Sequence, residues 1–457
     1  MLIEFDKIDI SYRDYEDFVV IYNLRTKEIV RLEDVAADVW RVITENTQID
    51  IDGITKRISE IYDCEPSQVY NDMQDFIAEL YRDGIVKIDG AYSQDETDGI
   101  EQISKKNSVD YEAKLIHEMQ ERDQLYSVTF EMTYACNERC IHCYANYPED
   151  SDTAKVISVS KYKELLDELY EMNCLHVAFT GGDPFMYKGF LEVFLYARTK
   201  GFVCDIYTNG QYLADHYDVM ECILRQRPRA FYISLYGSKS EVHDGVTAVQ
   251  GSFEKTVRTI NKLKANDIPV VLNIMLLSVN SDDAKATIDF AKSLGVEYRI
   301  GMSIIYKNDG DSSPMNYFIN DKDIIKRVMK MERESIYSID VPLGELKQED
   351  RICGAGCTAL SFSPDGDIYP CISLKEKLGN VFNDRIKTVW KSNKRHDLKN
   401  ALIWRNTEEC MGCKSQNECP HCVGISQQES GNMFSCNTCD KLISECLYEI
   451  MHSREEE

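Results

Sequence analysis

Between Tyr126 and about Lys330, short apolar runs alternate with stretches whose apolar residues recur at helical spacing. The runs are YSVTFEMT, HVAFT, FVCDIYTNG, AFYISLYG, VVLNIMLLS and YRIGMSII. β-Branched and aromatic residues fill them, as strands buried on both faces require, and a helical pattern follows each. Repeats of this kind predict an α/β fold with a parallel sheet curled into a partial (β/α)6 TIM-like barrel. Chemistry on such a barrel sits where strands end, so the residues just after each run are the ones to inspect.

The first ninety residues follow a different pattern. FVVIYNL (Phe18 to Leu24) and EIVRL (Glu28 to Leu32) read as strands, and three helical stretches come after them. The third, from Pro66, sets Val69, Met73, Phe76, Ile77 and Leu80 on one face and stops at Gly84, which predicts a winged-helix-like α+β domain. SQDETDGIEQISKKNS (Ser93 to Ser108) is polar and without periodicity, a predicted linker, and a bridging helix is expected over Asp110 to Arg122. Beyond Val341 the chain turns cysteine-rich and loop-rich. The expected organisation is thus 1–92, a linker and bridging helix over 93–124, the barrel over 125–335, and a C-terminal extension over 336–457.

Composition narrows the function classes. A net charge of −26 argues against nucleic acid as a partner, because phosphate backbones are held by clustered Lys and Arg. No apolar run approaches the ~20 residues that span a bilayer, so no membrane segment is expected and the chain reads as cytoplasmic. In a reducing compartment 17 cysteines form no disulfide framework, so metal binding is the expectation.

Cys136, Cys140 and Cys143 are spaced C-x3-C-x2-C directly after the first barrel strand. Structural zinc wants four ligands, and His142 could supply the fourth. Three thiolates alone suit a cubane iron-sulfur cluster with one iron open to a small molecule. TGGDP (Thr180 to Pro184), YTNG (Tyr207 to Gly210) and ISLYG (Ile233 to Gly237) fall in order at the next strand ends. With these motifs the chain resembles the radical S-adenosylmethionine (SAM) superfamily. The resemblance implies a [4Fe-4S] cluster on Cys136, Cys140 and Cys143 whose open iron chelates SAM. It also implies that Gly181, Gly182 and Asp183 meet the methionine amine, that Ser234 contacts the ribose, and that His142 lies against the adenine. Reductive cleavage of SAM would then yield a 5'-deoxyadenosyl radical, with a flavodoxin- or ferredoxin-type protein as electron donor.

The C-terminal cysteines, with SPDGDIYPC and LGNVFNDRIKTVW between them, are similar to the SPASM extension, which implies two auxiliary [4Fe-4S] clusters. The carry-over assigns Cys353, Cys357, Cys371 and Cys422 to the first, and Cys410, Cys413, Cys419 and either Cys436 or Cys439 to the second. Cys419-x2-Cys422 departs from the usual C-x3-C, and a zinc ribbon on Cys410, Cys413, Cys419 and Cys422 is the competing reading. Cys64, Cys174, Cys204, Cys222 and Cys446 lie outside the motifs and are assigned no chemistry.

Residues 1–92 resemble the PqqD-like element that captures the leader of a ribosomally made precursor peptide. A winged-helix DNA binder shares the topology, but the acidic charge opposes it. The resemblances together imply a peptide maturase that forms a cross-link from an unactivated carbon, a cysteine thioether first, with carbon-carbon linkage or backbone excision as alternatives. Sulfatase maturases share two of the parts but carry Asp where Ile372 follows Cys371. A non-catalytic iron-sulfur carrier or peptide scaffold is opposed by the intact TGGDP and Ser234.

Overall fold

The computed structural model describes residues 2–46, 48–89, 101–145, 156–332 and 346–452. Part of the expected linker, and the expected boundary between residues 335 and 336, lie outside these residues.

In the N-terminal domain β3 (Phe18–Asn23) is flanked by antiparallel β2 (Ile10–Asp14) and β4 (Ile29–Glu33). All six residues of β3 are buried, and the period of two divides them between two cores. Val19 and Ile21 pack with Leu32 and with Trp40, Ile54 and Met73 from α1 (Asp34–Glu45), α2 (Ile51–Tyr62) and α3 (Pro66–Arg82). Phe18, Val20 and Tyr22 point the other way, onto Tyr126, Leu175 and Val203 of the barrel and Leu115 and Met119 of α4 (Glu101–Glu121). The domain is therefore docked on the barrel through an apolar layer, each large side chain of which contributes about 1.5–3 kcal/mol.

Pro66 starts α3 as its first helical residue, with Glu65 and Gln68 in a capping box. Met73, Ile77 and Leu80 are buried in the domain core. Two short elements escape the hydrophobic pattern: β1 (Leu2–Glu4) joins β5 (Ile49–Asp50) and β6 (Lys87–Ile88) in a second small sheet. The bridging helix also differs from expectation. It starts at Glu101, inside the segment read as linker, because a helix docked by a few residues near its C-terminal end needs no amphipathic stripe along its length.

The barrel is formed by β7 (Ser127–Glu131), β8 (His176–Thr180), β9 (Val203–Thr208), β10 (Ala230–Ser234), β11 (Val270–Met275) and β12 (Glu297–Gly301), parallel and in consecutive order. These are the six strands that the sequence predicts. The sheet does not stop at β7. β13 (Ala359–Phe362) pairs in parallel with β7, and β14 (Asp367–Tyr369) and β15 (Gly379–Asn380) extend it antiparallel, so the cysteine-rich region is built onto the barrel edge. Asp123, between α4 and β7, fixes that union: it accepts hydrogen bonds from Arg395 Nη1 at 2.8 Å and Nη2 at 2.6 Å, and from Lys399.

Candidate functional site

The loop after β7 carries the three cysteines and is pinned by backbone contacts on two sides. Arg139 N–H donates to Thr247 O at 2.9 Å and Ile141 N–H to Val246 O at 3.0 Å. On the other side Gly182 N–H donates to Thr133 O at 2.6 Å and Asp183 N–H to Ala135 O at 3.0 Å. This approach is why the glycines of TGGDP are needed. A Cβ on Gly181, whose φ is +131°, would lie 2.3 Å from Thr133 O, and one on Gly182 would lie 2.3 Å from Ala135 O.

Asp183 is fully buried, and its carboxylate accepts from Phe185 N–H at 3.0 Å, Thr208 Oγ1 at 2.6 Å and Asn209 N–H at 3.0 Å. Burial raises its pKa to about 6 against the lowering by these donors. The carboxylate clamps the TNG turn to the glycine motif. Through that turn Asn209 Nδ2 reaches Asn137 Oδ1 at 2.6 Å and stands 3.6 Å from Cys136 Sγ.

Around the thiols, Glu138 is buried and accepts from Gln211 Nε2 at 2.7 Å, while the Cys140 thiol donates to it at 3.2 Å. Burial raises the Glu138 pKa to about 7 and that of Cys136 to about 12, and it drives the Cys140 thiol up as well. Ionised thiols in this pocket need a strong local positive charge, which a bound metal cluster provides. Among the described residues no three His, Cys, Asp or Glu side chains close around a single ion. A cavity of 590 Å³ opens beside Cys140 and Cys143, lined also by Lys307, Asp309, Asn316 and Tyr317.

His142 packs edge-on against Tyr236, ring centroids 5.2 Å apart, and its buried Nδ1 has no hydrogen-bond partner. Burial lowers its pKa to about 4, so the ring is neutral and leaves one nitrogen for a ligand. Tyr236, two residues beyond the end of β10, packs in one apolar cluster with Cys140 and Ile141, which joins that strand end to the cysteine loop. The residues present therefore fit a three-thiolate cluster with an open position and an adenine beside it.

Sequence reasoning missed several members of this site. Glu131, at the end of β7, is fully buried and accepts from Tyr144 Oη at 2.8 Å and from Tyr134 Oη and Lys375 Nζ, both at 3.4 Å. Lys375 comes from just past Cys371, so the pair ties the auxiliary region to the barrel mouth. Only the strand-end position of Glu131 could have signalled it.

The C-terminal thiols fall into two groups. Cys353, Cys371 and Cys422 are close enough to disfavour one another's ionisation, with Cys357 near Cys353. After burial, Cys413 disfavours ionisation of Cys410, Cys410 that of Cys419, and Cys410 and Cys413 that of Cys436. Cys439 stands apart from this second group. It is fully buried, its Sγ 3.9 Å from Ile304 O, in an apolar cluster with Cys140, Ile141 and Tyr236.

Three family models match the chain. Residues 130–291 match the radical SAM superfamily, residues 353–414 the SPASM iron-sulfur cluster-binding domain, and residues 19–86 coenzyme PQQ synthesis protein D. The chain is a radical SAM/SPASM protein with an N-terminal PqqD-like domain. This protein is 26% identical over 336 residues to the antilisterial bacteriocin subtilosin biosynthesis protein AlbA of Bacillus subtilis, covering 71% of this chain and 72% of that one. It is 25% identical over 308 residues to the mycofactocin maturase MftC of Mycobacterium tuberculosis, covering 64% and 75%. An AdoMet-dependent heme synthase of Methanosarcina barkeri is 23% identical over 340 residues, covering 67% and 93%. Among solved structures, Streptococcus suis SuiB bound to precursor peptide SuiA superposes with a TM-score of 0.59 at 13% identity, over 96% of this chain and 99% of that one. The radical SAM/SPASM protein thus shares its fold with SuiB over nearly its whole length, and the three family models with the similarity to AlbA support the peptide-maturase architecture implied by its sequence.

Proposed function

We propose that the protein matures a ribosomally made precursor peptide, abstracting hydrogen from an unactivated carbon and closing a cross-link there, a cysteine thioether. The observation that carries this reading is a three-thiol loop opening onto a 590 Å³ cavity in a barrel that also bears a docked PqqD-like domain. The similarity to a bacteriocin biosynthesis protein and to a maturase supports a peptide substrate.

When bound, the [4Fe-4S] cluster and SAM supply the 5'-deoxyadenosyl radical. Cys136, Cys140 and Cys143 hold the cluster, and Gly181 and Gly182 let the motif lie against the cysteine loop. Asp183 fixes the Asn209 turn, Ser234 and Tyr236 border the nucleoside, and His142 offers Nδ1 to the adenine. Cys353, Cys357, Cys371 and Cys422 hold the first auxiliary cluster. The second is held by Cys410, Cys413, Cys419 and Cys436, a choice supported by the influence of Cys410 and Cys413 on the Cys436 thiol, while Cys439 is buried against Ile304 O.

The leader enters as an added strand. β4 pairs only with β3 among the described residues, which leaves its outer edge for main-chain pairing. Mass spectrometry of the precursor after co-expression tests the reading. A thioether removes two hydrogens and one iodoacetamide-reactive thiol together, whereas the same mass loss with all thiols reactive identifies a carbon-carbon link. An unmodified precursor would overturn the proposal.

A further inference from the structure

The seam between the N-terminal domain and the barrel holds two buried arginines. Arg13, from β2, and Arg198, from the helix Phe190–Thr199, are each 2% exposed. Arg13 Nε donates to Cys174 O at 2.7 Å, and its Nη1 donates to Tyr12 O at 2.7 Å and Gly201 O at 3.1 Å. Arg198 donates to Ser11 Oγ at 3.0 Å, Ile8 O at 2.7 Å, Gln226 O at 2.8 Å and Phe202 O. Every one of these acceptors is uncharged, and among the described residues neither guanidinium has a carboxylate partner.

Two desolvated cations side by side are costly unless a counter-charge is supplied. Burial lowers the pKa of both, and for Arg198 it outweighs the opposing pull of the Asp9 carboxylate, which makes no ion pair with it. Phe202 and Tyr170 stack on the Arg13 guanidinium, their ring centroids 4.5 and 4.9 Å from Cζ, so further bonding must come at its edge. At that edge Nη2 is buried and has no hydrogen-bond partner.

A 250 Å³ cavity lies here, lined by Lys7, Arg13, Arg198 and Lys200 together with Tyr12 and Tyr170. Lys200 is matched by Asp167 at 2.6 Å, whereas the two arginines are unmatched. A purely architectural role, riveting the domains together, accounts for the bonds to carbonyls. It leaves the excess charge, the orphan Nη2 and the cavity without a purpose.

We propose that this cavity binds an anionic group, a carboxylate or a phosphate, carried by a ligand that reaches the seam between the PqqD-like domain and the barrel. Such a group completes the hydrogen bonding of Arg13 and neutralises the pair through charge-assisted bonds. The site stands on its own geometry and is independent of the reaction proposed above.

The test is the thermal midpoint of the full chain at constant ionic strength, with sodium chloride exchanged for inorganic phosphate or, separately, for acetyl-Glu-Glu-amide against acetyl-Gln-Gln-amide. A saturable rise of about 2–4 °C is expected with at least one anionic probe. A response to phosphate alone assigns the site to a free anion, and a response to the glutamyl peptide alone assigns it to a peptide carboxylate. Thr199→Glu places a carboxylate at the cavity wall. Because Thr199 ends its helix, where the macrodipole disfavours an acid, a raised midpoint in T199E comes from the cations that line the cavity. T199E should melt higher and no longer respond, and Arg13→Gln should lose the response. If Arg13→Gln does not fold, T199E decides. No saturable rise in the wild type, or a T199E protein that responds as the wild type does, overturns the proposal.

Discussion

Replacing Gly182 with alanine puts one methyl group where the structure has no room. Its Cβ would lie 2.3 Å from Ala135 O and 2.7 Å from Tyr134 O, both backbone atoms that no rotamer change can move aside. Relief requires the cysteine loop to retreat by roughly 1 Å, and overpacking of this kind costs about 1–3 kcal/mol. Ala135 immediately precedes Cys136, so the displacement is delivered directly to the first thiol. A misplacement near 1 Å can cost about 100-fold in rate. Gly182→Ala should therefore reduce 5'-deoxyadenosine formation by about that factor, while the auxiliary iron stays bound. Gly245→Ala is the matched control. Gly245 lies in the helix Ser240–Thr247 with no atom within 4 Å of a new Cβ, and alanine there should stabilise by about 0.5–1 kcal/mol and leave turnover unchanged. Assaying anaerobically reconstituted proteins with dithionite and SAM reads the difference. Wild-type deoxyadenosine formation by Gly182→Ala would refute the steric argument.

The auxiliary thiols give a paired test: Cys436→Ala should lower the iron content by about one cluster, and Cys439→Ala should not, as iron analysis and Mössbauer spectra of the two proteins would show. Equal loss in both would place Cys439 among the ligands. Asp123 should make the barrel-SPASM union acid-labile. Burial alone would raise its pKa, but Arg395 and Lys399 hold it well below the usual carboxylate range. A depressed carboxylate stabilises the fold above its unfolded pKa of about 3.9 and loses that contribution as pH falls through the folded value. Asp123→Asn strands the fully buried Arg395 and should cost about 2–3 kcal/mol near neutrality, an effect that shrinks below about pH 4 in denaturation curves.

The barrel was legible because each of its strands is a compact run rich in β-branched and aromatic residues, and because four motifs fall in order at their ends. β13 was not, since a four-residue strand inside a cysteine-rich segment carries too little periodicity to stand out, and only its pairing with β7 reveals it. The start of α4 was misplaced for a related reason: its first ten residues, EQISKKNSVD, have only two apolar members and no helical periodicity. In the site, the motif glycines and cysteines are marked by spacing, whereas Glu131, Glu138 and Tyr236 reach it through contacts between distant segments. Tyr236 was within the quoted ISLYG, yet its packing against Cys140 follows only from the folded loop. Spacing also could not separate Cys436 from Cys439: Cys439 is buried on the C-terminal helix, Thr438–His452, whereas Cys436 is exposed just before it.

The claim at the centre is that Cys136, Cys140 and Cys143 hold a cluster that cleaves SAM in a barrel distinct from the auxiliary region. The direct measurement is 5'-deoxyadenosine formation by the reconstituted triple variant Cys136→Ala/Cys140→Ala/Cys143→Ala, with iron counted in the same sample. The account predicts no deoxyadenosine above background and the iron of two auxiliary clusters retained. Deoxyadenosine at the wild-type rate from that protein would contradict it.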